Sequence, residues 1–213
     1  MRRFFIAVLS ILIPLGSTAG IFNLGKISYT KYVNPFVGTD FHGHTFPGAA
    51  YPFGMIQLSP DTRTDNWDGC SGYHYSDSTI WGFSHTHLSG TGCADYCDLL
   101  VMPVVDYEAF VTAMEEAAGR EIEDFPQDYI FNEYYESPFS HSHEKASPGY
   151  YGVFLERWGV QVDLSVGRRS AMHKYLFPKG VEPQLVIDLE HRDKVLDSHI
   201  KQEGHNAISG RRR

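Results

Sequence analysis

Short apolar segments recur along the chain between turn-forming residues, and their period is two rather than 3.6. Residues 161–166 (QVDLSV) alternate polar and apolar positions, as a strand does when it buries one face. Similar segments at 53–58, 79–87, 99–105, 150–157, 160–166, 171–177 and 184–189 predict strands, and Trp158-Gly159 between two of them predicts a hairpin turn. One stretch follows the other period. Residues 108–118 place Phe110, Val111, Met114 and Ala118 on one face, with Glu115 and Glu116 opposite, which predicts a short helix ending at Gly119. Residues 32–51 are rich in Gly, Pro, Asn, Thr and His and predict irregular loop. Residues 202–210 read as a strand or turn leading into another strand. The expected fold is mainly β: an antiparallel β-sandwich, supersandwich-like, with long loops and one or two short helices.

The start of the chain does not fit that pattern. Met1-Arg2-Arg3 is basic, residues 4–15 are an apolar run, and Gly16-Ser17-Thr18-Ala19-Gly20 supplies small residues. That order predicts a secretory signal peptide over residues 1–19, because the run is shorter than the roughly 20 residues of a membrane span. The expected location is therefore exported, periplasmic or secreted, with no membrane attachment once the signal is removed. No Cys follows the run, so a lipid anchor is not indicated.

Composition narrows the partners. The formal net charge is −8, and the only basic cluster is Arg211-Arg212-Arg213, so no nucleic-acid partner is expected. The 13 Tyr and 14 Phe suit a β core, and flat rings also suit the C–H faces of sugars. Three cysteines, Cys70, Cys93 and Cys97, cannot all pair within the chain; Cys93 with Cys97 and Cys70 with Cys93 are both open. The chain stops at the arginines straight after a strand-like segment, so a chain cut short of a further domain is the expectation.

Residues 40–98 carry the densest functional composition. Histidines two apart occur at His42/His44, His85/His87 and His141/His143; on a strand such a pair shares a face and could hold Zn²⁺ if a third ligand converged. No HExxH or CxxC frame supports that, so no metal ligand is assigned, and hydrogen bonding among loops explains the histidines as well. Around Trp67 the logic differs. An indole beside Arg63, Asp65, Asn66 and Asp68 could cover a sugar ring while the charged groups bind its hydroxyls. Equally, Asp61-Thr62 and Asp68-Gly69 are ordinary turn signals and Trp67 could plug the core. Ser89-Gly90-Thr91-Gly92 lacks the Lys of a phosphate loop, and no GxSxG elbow marks a serine hydrolase.

Several longer motifs carry a resemblance. Tyr32-Val33-Asn34-Pro35-Phe36-Val37-Gly38-Thr39, Phe46-Pro47-Gly48-Ala49, Pro52-Phe53-Gly54-Met55, Leu58-Ser59-Pro60-Asp61, Gly72-Tyr73-His74-Tyr75, Phe83-Ser84-His85-Thr86-His87-Leu88-Ser89-Gly90-Thr91-Gly92, Phe139-Ser140-His141 and Glu144-Lys145-Ala146-Ser147-Pro148-Gly149-Tyr150-Tyr151 are similar to the amino-terminal part of glycoside hydrolase family 92. Residues 106–135 match least. The resemblance implies an exo-acting, inverting α-mannosidase, mostly α-1,2, dependent on Ca²⁺ and acting on mannose-containing glycans such as N-glycans. It implies an amino-terminal sandwich joined to an (α/α)6 barrel, with the active site between them. Inversion needs a general acid and a general base with room for water between them. In the family both carboxylates and the calcium ligands belong to the barrel, so no catalytic residue and no calcium ligand is assigned in this chain. The resemblance instead maps Trp67, Asp68, Arg63, Cys70, His42 and His44 to the sugar-facing side.

Three readings follow. The first is the substrate-pocket domain of such a mannosidase, inactive alone and completed by an (α/α)6 partner domain. The second is a free-standing carbohydrate-binding module. The third is a metal-dependent hydrolase built on the histidine pairs.

Overall fold

The computed structural model describes residues 28–119, 132–192 and 194–213; the expected signal peptide lies outside the described residues. Two antiparallel sheets face each other. The first has the order β1-β2-β4-β5-β11, from β1 (Ala49–Ala50), β2 (Gln57–Asp61), β4 (Gly82–Ser84), β5 (Leu100–Val105) and β11 (Pro183–Asp188). The second runs β10-β9-β8-β7, from β7 (Glu144–Ser147), β8 (Tyr150–Leu155), β9 (Val160–Val166) and β10 (Ala171–Leu176). Two small ribbons complete the set: β3 (Thr79–Ile80) with β6 (Ser137–Pro138), and β12 (Ser198–Gln202) with β13 (Ile208–Arg212). The expected mainly-β fold is the observed one.

The core lies between the two sheets. Leu58, Phe83, Leu100, Met102 and Val104 from the first meet Tyr151, Val153, Leu155, Val160, Val162 and Leu164 from the second. The alternation predicted for 161–166 is obeyed: Val162 and Leu164 point inward, Gln161 and Asp163 outward. Removing this apolar surface from water, at roughly 25 cal/mol per Å², is what holds the sheets face to face.

The helix appears as α1 (Tyr107–Ala118) and stops at Gly119 in the left-handed conformation. Its Phe110 ring meets the Trp158 indole edge-on, with centroids 5.0 Å apart. Trp158, in the hairpin between β8 and β9, donates its Nε1–H to the Tyr135 carbonyl at 2.8 Å. One expected strand, 79–87, is broken at Trp81. The Trp81 amide turns to the Asp61 carbonyl, so residues 79–80 pair with β6 while 82–84 enter the main sheet. The segment expected at 53–58 becomes strand only from Gln57, because Met55 bonds to the Arg168 carbonyl instead.

A carboxylate stands inside this sandwich. Glu144 on β7 accepts from the Tyr151 hydroxyl at 2.6 Å, from the Tyr73 hydroxyl at 3.0 Å and from His141 Nδ1 at 2.6 Å. Its side chain is fully buried. Burial and the adjacent carboxylate push both phenols upward, so they stay protonated donors. Replacing Glu144 with Leu would leave two buried hydroxyls unpaired. We expect a loss of roughly 3 kcal/mol in urea denaturation, and a smaller loss for Glu144→Gln, which keeps an acceptor.

Candidate functional site

Residues 61–77 form a long excursion between β2 and β3, and its tip is built by Asn66. This residue is left-handed (φ 56°), and its side-chain oxygen accepts from the amides of Asp68 at 3.0 Å and Gly69 at 3.1 Å. Such an Asx turn lifts the next residue outward, and Trp67 is 59% exposed. Two groups hold the indole from behind. The His44 ring meets it edge-on at 4.6 Å. Gly92, at φ +67°, lies so close that an added Cβ would stand 2.5 Å from the indole ring, so only glycine fits.

Beside the indole, His42 Nδ1 donates to Asp68 Oδ1 at 2.9 Å, and this bond holds the Asp68 carboxyl below its ordinary range. His42, His44, Trp67 and Asp68 are thus brought together into one exposed patch: an apolar ring, a carboxylate and two imidazoles. The other two sequence candidates face elsewhere. Arg63 forks onto Asp77, with Nε 2.8 Å from Oδ2 and a second nitrogen on Oδ1, so its guanidinium braces the loop. Cys70 is buried beneath the loop, 1% exposed. Cys70, Cys93 and Cys97 are all free thiols.

At the base of this excursion lies a polar cluster that no single motif marks. Asp61, at the end of β2, is fully buried between two imidazoles: His87 Nε2 is 2.6 Å from Oδ1, and His191 Nε2 is 3.0 Å from Oδ2. His87 Nδ1 donates to the Gln57 carbonyl at 2.8 Å. Burial lowers the His191 imidazole, which stays a neutral donor. The Cys97 Sγ also reaches this cluster, and burial pushes that thiol far upward. Asp61, His87 and His191 come from distant positions, and no local spacing signals their meeting.

None of the three histidine pairs lies on a strand, so none shares a strand face. Residues after Ser84 leave the strand, so His87 turns inward and His85 turns to the second sheet. His85 donates Nδ1–H to the Leu99 carbonyl at 2.8 Å, accepts on Nε2 from His173 Nε2–H at 3.0 Å, and His173 Nδ1 accepts from the Tyr175 hydroxyl at 2.7 Å. With both rings neutral, every nitrogen of the relay has a partner. Burial, then the facing ring, lowers His173 from its ordinary 6.5 to about 4. His141 and His143 sit in a 3-10 turn; His141 reaches Glu144 and His143 meets Phe154.

The model of the glycosyl hydrolase family 92 N-terminal domain matches residues 32–213. The chain belongs to glycosyl hydrolase family 92. The family 92 domain resembles a family 92 α-mannosidase of Bacteroides thetaiotaomicron solved in complex with mannoimidazole, at 36% identity and a TM-score of 0.70 over 86% of this chain. It also resembles a family 92 inverting mannosidase of the same organism at 31% identity and 0.55 over 75%. An uncharacterized secreted glycosidase of Arthroderma benhamiae is 28% identical over 166 residues, 75% of this chain. The chain spans about a fifth of these relatives' length: 23% of the first, 19% of each of the others.

The His85–His173 relay gives the family 92 domain an acid-sensitive joint. The folded His173 value lies below the unfolded one, so between pH 6.5 and about 4 the unfolded chain binds the extra proton. Stability is then full above that window, falls as pH drops through it, and levels off below. We expect at most roughly 3 kcal/mol from this residue. Urea melts from pH 7.5 to 4 should show a shallower decline for His173→Gln than for the unaltered chain.

Proposed function

We propose that this chain forms the sugar-facing wall of an exported, exo-acting, inverting α-mannosidase that trims mannose-containing glycans such as N-glycans, with α-1,2 linkages as the preferred substrate. The observation that carries the reading is the exposed Trp67 indole flanked by the His42–Asp68 pair, in a chain belonging to family 92. An indole offers a flat apolar face to a pyranose, and the charged rim accepts and donates to its hydroxyls. The similarity to a mannosidase solved with mannoimidazole supports a mannose-type ligand. The secreted relative supports export, and among the described residues no helix is long and apolar enough to cross a membrane.

The catalytic acid and base are assigned to an (α/α)6 partner domain, and this wall contributes binding and orientation. Calcium is assigned there too. Ca²⁺ takes six to eight oxygen ligands, whereas the one grouping of three candidate ligands among the described residues mixes oxygen, nitrogen and sulfur. These residues do not fit Ca²⁺, and no step is derived through it.

The chain alone is expected to release no mannose from α-1,2-mannobiose; turnover by the purified chain would overturn the assignment of the catalytic groups elsewhere. Joined to the remainder of a family 92 enzyme, it should support hydrolysis. There Trp67→Ala should lower kcat/KM about 10- to 100-fold, equivalent to roughly 1.4–2.8 kcal/mol of lost contact. Arg63→Ala should act chiefly through loop stability. An unchanged kcat/KM in Trp67→Ala would remove the indole from the sugar site.

A further inference from the structure

The cluster at the base of the excursion holds three different donors around one point. A carboxylate oxygen of Asp61, a ring nitrogen of His87 and Cys97 Sγ lie within 4.8 Å of one another, and all three residues are buried. They arrive from three segments: the end of β2, the loop after β4, and the loop entering β5. We propose that Asp61, His87 and Cys97 form a buried site for a borderline-soft divalent cation of the zinc class.

Four observations support this assignment. First, the imidazole is oriented as a ligand. His87 Nδ1 is committed to the Gln57 carbonyl, which turns Nε2 toward the carboxylate. Metal-bound histidines are characteristically fixed in this way by a second-shell carbonyl. At 2.6 Å, Nε2 and Oδ1 need something positive between or beside them, a proton or a cation. Second, the carboxylate is held from its other side: His191 Nε2–H donates to Asp61 Oδ2, leaving Oδ1 toward the cluster. Third, all three side chains converge on the backbone of one residue. A Cβ on Gly72 would stand 2.7 Å from Asp61 Oδ1, 2.8 Å from Cys97 Sγ and 2.9 Å from His87 Cδ2, so only glycine lets the chain pass this close to the cluster. Fourth, Ser84 Oγ lies 3.1 Å from His87 Nε2, placed to supply or orient a fourth ligand.

The chemistry selects the ion. Carboxylate, thiolate and neutral imidazole together balance a +2 charge, so the loaded site buries no net charge. Nitrogen and sulfur donors at about 2.0–2.3 Å suit Zn²⁺ and its relatives, while Mg²⁺ and Ca²⁺ call for oxygen. Tetrahedral ligands at those lengths stand about 3.3 Å or more apart, so loading parts the Asp61–His87 pair by several tenths of an ångström. The bound ion would be structural. It would pin the loops that zip together where Cys97 donates its amide to the Thr86 carbonyl and His85 donates to the Asp98 carbonyl. Between those anchor points lies Gly92, on which the Trp67 indole rests. This proposal stands apart from the mannosidase reading, because its test reads metal and not sugar.

The test is a Co²⁺ titration of the 213-residue chain, purified without metal-affinity steps and freed of metal by chelation. Binding of one equivalent should bring a thiolate-to-cobalt charge-transfer band, displaced by Zn²⁺ and unaffected by excess Ca²⁺. Cys97→Ser should lose the band, and Cys93→Ser, at the exposed thiol, should keep it. Zn²⁺ should raise the thermal midpoint of the unaltered chain and of Cys93→Ser, but not of Cys97→Ser. Absence of the band in the unaltered chain, or substoichiometric zinc by elemental analysis after reconstitution, overturns the proposal whatever the variants do. So does a band that follows Cys93 rather than Cys97.

Discussion

One buried carboxylate organises the end of this domain that carries Trp67. Asp61 has no access to water, and its two oxygens are taken by His87 and His191, drawn from loops far apart in the chain. A carboxylate in such a place is costly unless every lone pair is answered, and removing one partner leaves the charge stranded. The same residue also receives the Trp81 amide on its backbone carbonyl, which sets where the β3 segment leaves for its partner β6. The loops above it therefore have little freedom. Gly72 lies directly over the carboxylate, and the excursion ending in Trp67 passes through Gly72.

Glu144 plays the corresponding part between the sheets. Two phenols and an imidazole answer it, and one of the phenols, Tyr73, comes from the same excursion as Trp67. The two buried carboxylates fix the excursion at residues 61 and 73, and the Arg63–Asp77 fork closes it across its base. At the far end of the chain, Arg212 enters the body and pairs with Asp98, tying the β12–β13 ribbon to the loop that also delivers Cys97. The terminal arginines, a bare basic cluster in the sequence, are thus partly structural.

Local pattern made β9 legible residue for residue, because one face is buried and the other is wet. It made α1 legible through Phe110 and the Gly119 stop. It did not find β7, whose Glu-Lys-Ala-Ser has no apolar rhythm and which is held by pairing with β8 and by the burial of Glu144. At the site, His42, His44, Trp67 and Asp68 were legible as a group because the loop chemistry that exposes them is local. Arg63 was misleading: a guanidinium near an indole reads as a sugar contact until Asp77, fourteen residues on, is seen to claim it. Asp61 and His191 were beyond sequence reasoning, since their meeting depends on the closure of the whole sandwich.

The backing of Trp67 has a thermodynamic consequence. An exposed indole on a free loop must be stilled when a ligand arrives, and that ordering subtracts from affinity. Here the ring is wedged between His44 and the bare backbone of Gly92 before any ligand is present. Its conformational entropy has been surrendered during folding, so any ligand meets a rigid tile. Rigidity of this kind favours discrimination by shape over adaptation: a ligand that cannot lie flat on the tile has no second arrangement of the ring to exploit.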